Sequence, residues 1–351
     1  MTGPHILGFP PEGLVKVLRA RGVELRPEEA RRILAHRISL GRPGYPDRPR
    51  VRRIVEAACD QHLRHDALRI LERVEDPSDG FLRVLLEAPD GALFEAVRIP
   101  LEKPDTFTIC LSSQVGCAMG CGFCATGRLG LTRDLEAWEM VAAFVQVRDE
   151  APGRVSGAVF QGQGEPLLNE DAVLRAARIL WDPCGGRIRR EAVTISTVGV
   201  VPAIRRFTAA GHPYRLIVSL TSAIPERRAQ LLPVAARWPL ADLADAIRAH
   251  AAAIRDRVTL AWVVLGGINT GRDEVEALGR LFSGIPLRIN LIDVNDPRPD
   301  GFRQAGREEL DRFRDGLTEV LGVPVVRRYS GGGAANAACG MLASVRTTVR
   351  S

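Results

Sequence analysis

Lysine is almost missing: Lys16 and Lys103 are the only two among 48 basic residues, so arginine carries the positive charge. Aromatic residues are scarce, at 5% of 351. No apolar run approaches the roughly 18–20 residues of a membrane span. Near the N-terminus, Arg19, Arg21, Glu24, Arg26, Glu28 and Glu29 form an amphipathic pattern with no apolar core of a signal peptide. Neither export nor membrane insertion is expected, and the expected location is the cytoplasm. What is present fits a folded chain: 46% hydrophobic and 26% charged residues exclude a disordered one. The formal net charge of +6 leans towards a polyanionic partner. Arginine suits bidentate phosphate contacts and stacking on bases. A compositional bias spread over every surface accounts for the same numbers.

Organisation changes along the chain. The first sixty-odd residues read as short helices, over 11–21, 27–38 and 52–65, with Pro27 at a first helical turn. A Gly/Pro-rich link from Gly41 separates the last two. The stretches 67–74, 81–88 and 92–99 alternate as strands joined by turns at 76–80 and 89–91. From about residue 106 strands and helices alternate regularly. Strands are expected over 107–112, 157–161, 192–196, 215–220, 259–264 and 287–292. Helices follow over 136–148, 171–181, 202–210, 240–255, 272–282 and 307–321. Six strand–helix units imply a parallel sheet with helices outside, doubly wound or curved into a barrel. The stretch 323–328 is a candidate last strand, and the Gly/Ala-rich tail beyond it is expected to be a flexible loop.

Seven cysteines without an export signal point to metal or redox chemistry rather than a disulfide framework. Cys117-Ala-Met-Gly-Cys121-Gly-Phe-Cys124 carries the strongest signal, a C-x3-C-x2-C loop directly after a strand. Three thiolates on one loop can hold three irons of a [4Fe–4S] cluster and leave the fourth open to a small molecule. A zinc site is the alternative; it needs a fourth ligand, and no histidine is near in sequence. Cys110 and Cys339, taken alone, are also compatible with plain core packing. Cys59, near His62 and His65, is expected on a solvated helix face rather than in a metal site.

The C-x3-C-x2-C loop with Phe123 before its last cysteine resembles the radical S-adenosylmethionine (SAM) superfamily. Further stretches occur in order: Cys110-Leu-Ser-Ser-Gln-Val-Gly-Cys117, Cys124-Ala-Thr-Gly127, Gly162-Gln-Gly-Glu-Pro-Leu-Leu-Asn169, Thr194-Ile-Ser-Thr-Val-Gly-Val-Val-Pro202, Ile289-Asn-Leu-Ile292 and Ala337-Ala-Cys-Gly340. Together, from about residue 90 to 342, they resemble the RlmN/Cfr family of RNA adenine methyltransferases. The resemblance implies an α/β fold, a partial (β/α)6 barrel with a small helical N-terminal accessory domain. The corresponding division is 1–90 accessory, mainly helical and a candidate RNA-binding domain, 91–328 barrel, and 329–351 tail with the methyl-accepting cysteine.

It also implies cofactors and roles. Cys117, Cys121 and Cys124 would hold one [4Fe–4S] cluster, with SAM on the fourth iron and cleaved reductively to a 5′-deoxyadenosyl radical. Phe123 would pack near the adenosyl group. Gly164 and Glu165 would meet the methionyl ammonium, and Ser196, Ser219, Leu220, Thr221 and Asn295 would supply other SAM contacts at strand ends. Adenine C2 and C8 are not nucleophilic, so the methyl must arrive as a carbon radical. Cys339 would first take a methyl from one SAM as a thiolate. The radical from a second SAM would abstract hydrogen from it, and the methylene radical would add to adenine. Cys110 would resolve the thioether, forming a disulfide with Cys339 that is reduced each cycle. Glu95 aligns with the family's proton acceptor, although an edge-strand carboxylate would look the same.

C2 is the expected target carbon. Expected partners are rRNA or tRNA and an electron donor of flavodoxin or ferredoxin type, acting on a monomer. The chain departs from the family at Gln163, Val198, Thr221, Asp293, Val294, Met341 and the tail before Cys339, all outside the cysteine set. A radical SAM enzyme on a non-RNA substrate, or a silent RNA-binding relative, would keep much of the same pattern.

Overall fold

The computed structural model describes residues 3–343 apart from 49, 297, 299 and 329; the tail expected over 329–351 therefore lies outside the described residues from 344 onward. Three helices open the chain: α1 (Pro11–Arg19), α2 (Pro27–Leu34) and α3 (Arg53–His62). Proline at the first position of α1 and α2 sets the helical φ without losing a needed donor. Leu14 and Leu18, one turn apart, are buried on α1. Glu29 accepts the Arg26 N–H at 3.2 Å and closes the start of α2.

The strands β1 (Arg69–Glu75), β2 (Leu82–Glu87) and β3 (Leu93–Pro100) form an antiparallel meander, and β3 pairs antiparallel with β4 (Thr106–Leu111). Asp90 and Gly91 make the β2–β3 turn: Gly91 has φ +82°, and Asp90 accepts the Ala92 N–H at 3.1 Å. The expected border at residue 90 falls in this turn, so β1 and β2 belong to the same sheet as the barrel strands.

A short hairpin follows, β5 (Gln114–Cys117) with β6 (Gly130–Asp134), and then the regular alternation: α4 (Ala137–Asp149), β7 (Arg154–Phe160), α5 (Glu170–Trp181), β8 (Val193–Thr197), α6 (Val201–Ala209), β9 (Arg215–Ser219), α7 (Pro225–Leu231), α8 (Leu240–Ile254), β10 (Val258–Val264), α9 (Arg272–Phe282), β11 (Leu287–Asp293), α10 (Arg307–Leu321) and β12 (Val325–Arg328). From β4 onward the main-sheet strands are parallel, and their order in space is their order in sequence. A sheet wound in one direction curves as a partial barrel, not a doubly wound one. Its strands are buried on both faces, as in β8, because helices cover one side and the other, here carrying Thr194 and Ser196, lines the interior.

The N-terminal helices rest on the barrel wall. His5 stacks on Trp138 of α4 with ring centroids 4.0 Å apart, and Arg64 pairs with Glu136 at 2.7 Å. Three local expectations are corrected. The β5–β6 hairpin and α7 went unanticipated, because β6 is largely exposed and has no apolar alternation to announce it. Cys59, expected on a solvated face, is fully buried in the core. Glu95 is not on an edge strand: β3 lies between β2 and β4. Among the described residues no helix is long and apolar enough to cross a membrane.

Candidate active site

A cavity of about 1330 Å³, including its open mouth, lies at the C-terminal ends of the parallel strands. Every strand from β7 to β12 contributes a residue to its lining: Gln161, Ser196, Ser219, Val263, Ile292 and Arg328 sit at or just beyond the successive ends. Strand ends converge there because a parallel barrel sends all its loops of one kind to one rim.

The three loop cysteines share one wall. The β5–β6 hairpin presents Cys117 at its first strand and Cys121 and Cys124 in its connecting loop, and all three line the cavity with Phe123. The loop is tied at several points: Gly122 N–H donates to the Leu231 carbonyl at 3.3 Å, Cys124 N–H to Cys121 O at 3.1 Å, and Arg298 to Gly122 O at 3.2 Å. Gly127 is required by packing, since a Cβ there would lie 2.8 Å from the Cys121 nitrogen. Burial pushes the Cys117 thiol up to about 11 and Cys121 higher still, with the neighbouring thiols adding to both. Among the described residues no three histidine, cysteine or acidic side chains converge on one point as ligands of a single ion do. The three loop thiols lie near enough to raise one another's pKa, and three such thiols on one wall suit a cluster, in which each ligand meets a different iron.

Beside Cys117, Gly164 takes φ +95°, and a Cβ there would lie 2.6 Å from the Gln114 side chain, so only glycine fits. Glu165 follows, buried, with its carboxylate accepting the Leu167 and Val198 N–H groups at 2.9 and 2.8 Å. Among the described residues no arginine, lysine or histidine pairs with it, and burial raises its pKa to about 7. A buried carboxylate without a cation is costly, and an ammonium group from a ligand answers it. Thr221 adds two further signs: φ of +61° and a buried hydroxyl with no hydrogen-bond partner among the described residues. Strained backbone of this kind concentrates at ligand sites. The residues therefore fit both groups implied by the sequence, thiols for iron and a polar cradle for an amino acid head.

Cys339 and Cys110 line the same cavity, and both are thiols in this structure. Cys110 lies on β4, where burial drives its pKa to about 12 while Arg328 pulls it down. Cys339 packs against the cluster of Ile217, Ala261 and Ile292, and its thiol is also raised by burial. Asn295 donates to Ser330 Oγ at 2.7 Å and to the Cys339 carbonyl at 3.5 Å, so its amide braces the cysteine loop.

Two expected residues stand outside the lining. Leu220 is buried, with its N–H on the Ala261 carbonyl at 2.9 Å. Glu95 lies behind the cavity wall, paired with Arg83 at 2.5 Å and reached by Gln163 Nε2 at 3.4 Å. Arg328, which donates to Gln161 Oε1 at 3.4 Å, was missed; a charge ending a candidate barrel strand is the signal that could have found it.

The radical SAM superfamily pattern matches residues 111–282. A probable RNA methyltransferase of Anaeromyxobacter sp. is 51% identical over 97% of this chain and 98% of its own. The dual-specificity RNA methyltransferase RlmN of Syntrophobacter fumaroxidans is 36% identical over 92% and 93%. The chain belongs to the RlmN/Cfr family of radical SAM methyltransferases. A crystal structure of a radical SAM methyltransferase from Sphaerobacter thermophilus superposes with a TM-score of 0.87, at 32% identity, over 97% of this chain and 100% of that one. This family member is thus an enzyme with the partial barrel expected from its strand–helix alternation.

Proposed function

We propose that this methyltransferase places a methyl group on an adenine carbon of RNA, C2 in the first instance, through an S-methylated Cys339. The observation that carries the reading is the meeting of Cys339, Cys110 and the three-cysteine loop in one cavity, from segments 110, 117–124 and 339. The names of the relatives, RNA methyltransferases over nearly the whole length, supply the substrate class. Cys117, Cys121 and Cys124 would hold a [4Fe–4S] cluster, with Glu165, Gly164, Ser196, Ser219 and Thr221 around SAM. When bound, these groups supply a carbon-centred radical by reductive cleavage of SAM.

The chain's own residues do the rest. Cys339, as thiolate, attacks the SAM methyl carbon and becomes a methyl thioether, releasing S-adenosylhomocysteine. After one hydrogen atom is removed from that methyl, the carbon bonds to the adenine ring; the ring then gives its proton to Cys110 and one electron to the cluster that would be held there, which leaves RNA tethered to Cys339 by a thioether. Cys110, again as thiolate, then attacks the Cys339 sulfur: the S–C bond breaks with its electron pair on carbon, which takes up a proton and stays on adenine as methyl, and a Cys110–Cys339 disulfide forms. Two electrons from an external donor of flavodoxin or ferredoxin type return both thiols. Arg328 faces both sulfurs and favours their thiolate forms by its charge.

The test is an anaerobic reaction of the cluster-loaded enzyme with methyl-labelled SAM, reductant and unmodified RNA, read by mass spectrometry of the nucleosides. Labelled 2-methyladenosine is expected. Cys339→Ala should abolish it, and Cys110→Ala should leave RNA covalently attached to the protein. Formation of 5′-deoxyadenosine without any methylated adenosine would overturn the RNA assignment.

A further inference from the structure

The segment carrying Cys339 has little of its own to hold it. Residues 331–338 are Gly-Gly-Gly-Ala-Ala-Asn-Ala-Ala, with no charge and no side chain larger than asparagine. Such a stretch loses much backbone entropy on ordering, and its anchors come from far away in sequence. Asp79 uses one carboxylate oxygen inside its own turn, accepting the Phe81 N–H at 3.1 Å, and the other to accept the Gly332 N–H at 2.8 Å. Asp76 divides its oxygens in the same way. One accepts the N–H and hydroxyl of Ser78 at 3.0 and 2.6 Å, and the other the Ala334 N–H at 2.9 Å. Arg83 continues the row, donating from Nε to the Ala335 carbonyl at 2.9 Å while its other nitrogens pair with Glu95 and Glu72. Phe81 packs against Gly332, where a Cβ would come within 3.0 Å of it. On the far side, Ala125 N–H and the Thr126 hydroxyl donate to the carbonyls of Gly340 and Leu342 at 2.7 and 2.6 Å.

We propose that the β1–β2 turn is a clamp for the methyl-carrying loop, with Asp76, Asp79 and Arg83 as positioning residues that set Cys339 between Cys110 and the cysteine loop. The inference rests on the reading of Cys339 as methyl acceptor. Carboxylates suit the task because a charged acceptor on a backbone N–H makes a bond about twice as strong as a neutral one. The grip reaches the loop only through its backbone, so it works without any side chain in 331–335.

The division of oxygens makes a clean test. In Asp76→Asn and Asp79→Asn the remaining carbonyl oxygen can still close the local turn, whereas the loop-facing oxygen becomes an N–H donor opposed to Ala334 and Gly332 respectively. The cluster-loaded double variant should keep its visible absorbance and its melting midpoint. Amide hydrogen exchange at Gly332 and Ala334 should rise by about tenfold or more, the scale of a lost hydrogen bond to a charged group. Methyl loading of Cys339, followed by peptide mass, should slow, and kcat should fall with KM for RNA unchanged. Unchanged exchange at the two amides overturns the clamp, and raised exchange with unaltered methyl loading and kcat overturns the positioning role. An unsubstituted enzyme that never carries methyl on Cys339 overturns the parent reading instead, an outcome read separately from the exchange data.

Discussion

Glu165 keeps a carboxylate in the cavity whose pKa, near 7, is raised by burial. An ammonium group bound beside it would return that pKa towards the ordinary carboxylate range, so binding releases a proton wherever the free residue is protonated. SAM affinity should therefore rise with pH up to about 7 and level off above it, by at most tenfold per pH unit below that point. Titration calorimetry between pH 5.5 and 8 in two buffers of different ionisation enthalpy reads both the affinity and the released proton. Glu165→Gln should bind more weakly at pH 8 and lose the pH dependence; a parallel slope in that variant would remove Glu165 from the ammonium site. At this scale the sequence told much. The three loop cysteines stood out by their spacing alone and the other named residues came through the family resemblance; twelve of the fourteen line one cavity. Glu95 and Leu220 do not: Glu95 is turned to Arg83 behind the wall, and Leu220, just past the end of β9, packs into the main core, neither of which the family's motif order records.

At the scale of the element, the N-terminal segment is fastened by a titratable ring. His5 is buried, with Nδ1 accepting the Leu7 N–H at 3.1 Å and Nε2 on the Asp66 carbonyl at 2.9 Å, a set that the neutral imidazole satisfies. Burial lowers its pKa from 6.5 to about 4. The unfolded chain therefore binds a proton that the folded one refuses between these values, so stability is full above pH 6.5 and falls as pH drops to 4, by about 3 kcal/mol. His212 and His250, also lowered by burial, add the same sign. Urea unfolding at pH 7.5 and 5 should show the loss, and His5→Gln should shrink the difference between the two. An undiminished difference would place the sensitivity elsewhere. The barrel strands were legible because β-branched runs buried on both faces have few other uses. The β5–β6 hairpin was not, since its register comes from backbone pairing around two glycines rather than from apolar alternation.

Over the whole molecule the charge is unevenly placed. Residues 1–66 hold 13 arginines and lysines against 8 acidic residues, which accounts for most of the net +6. The exposed members include Arg19 on α1 and Arg32 on α2. With RNA as substrate, we propose that these helices add a phosphate grip that depends on salt and not on sequence. Arg19→Glu with Arg32→Glu should weaken RNA binding and reduce the slope of log K against log salt by about 1–2, while kcat at saturating RNA holds. An unchanged slope in a filter-binding series would assign the phosphate contacts to the barrel instead.

Residues 76–83 and 332–335 meet across some 250 positions of sequence, as the bond between Asp79 and Gly332 records. During synthesis the early turn leaves the ribosome long before its counterpart exists. On the proposed roles, a nascent chain can thus gather its three loop thiols while the methyl acceptor is still unmade. Cys339 emerges long after the cysteine loop, so on that reading radical chemistry has no acceptor in place to act through until the clamp and its counterpart have met.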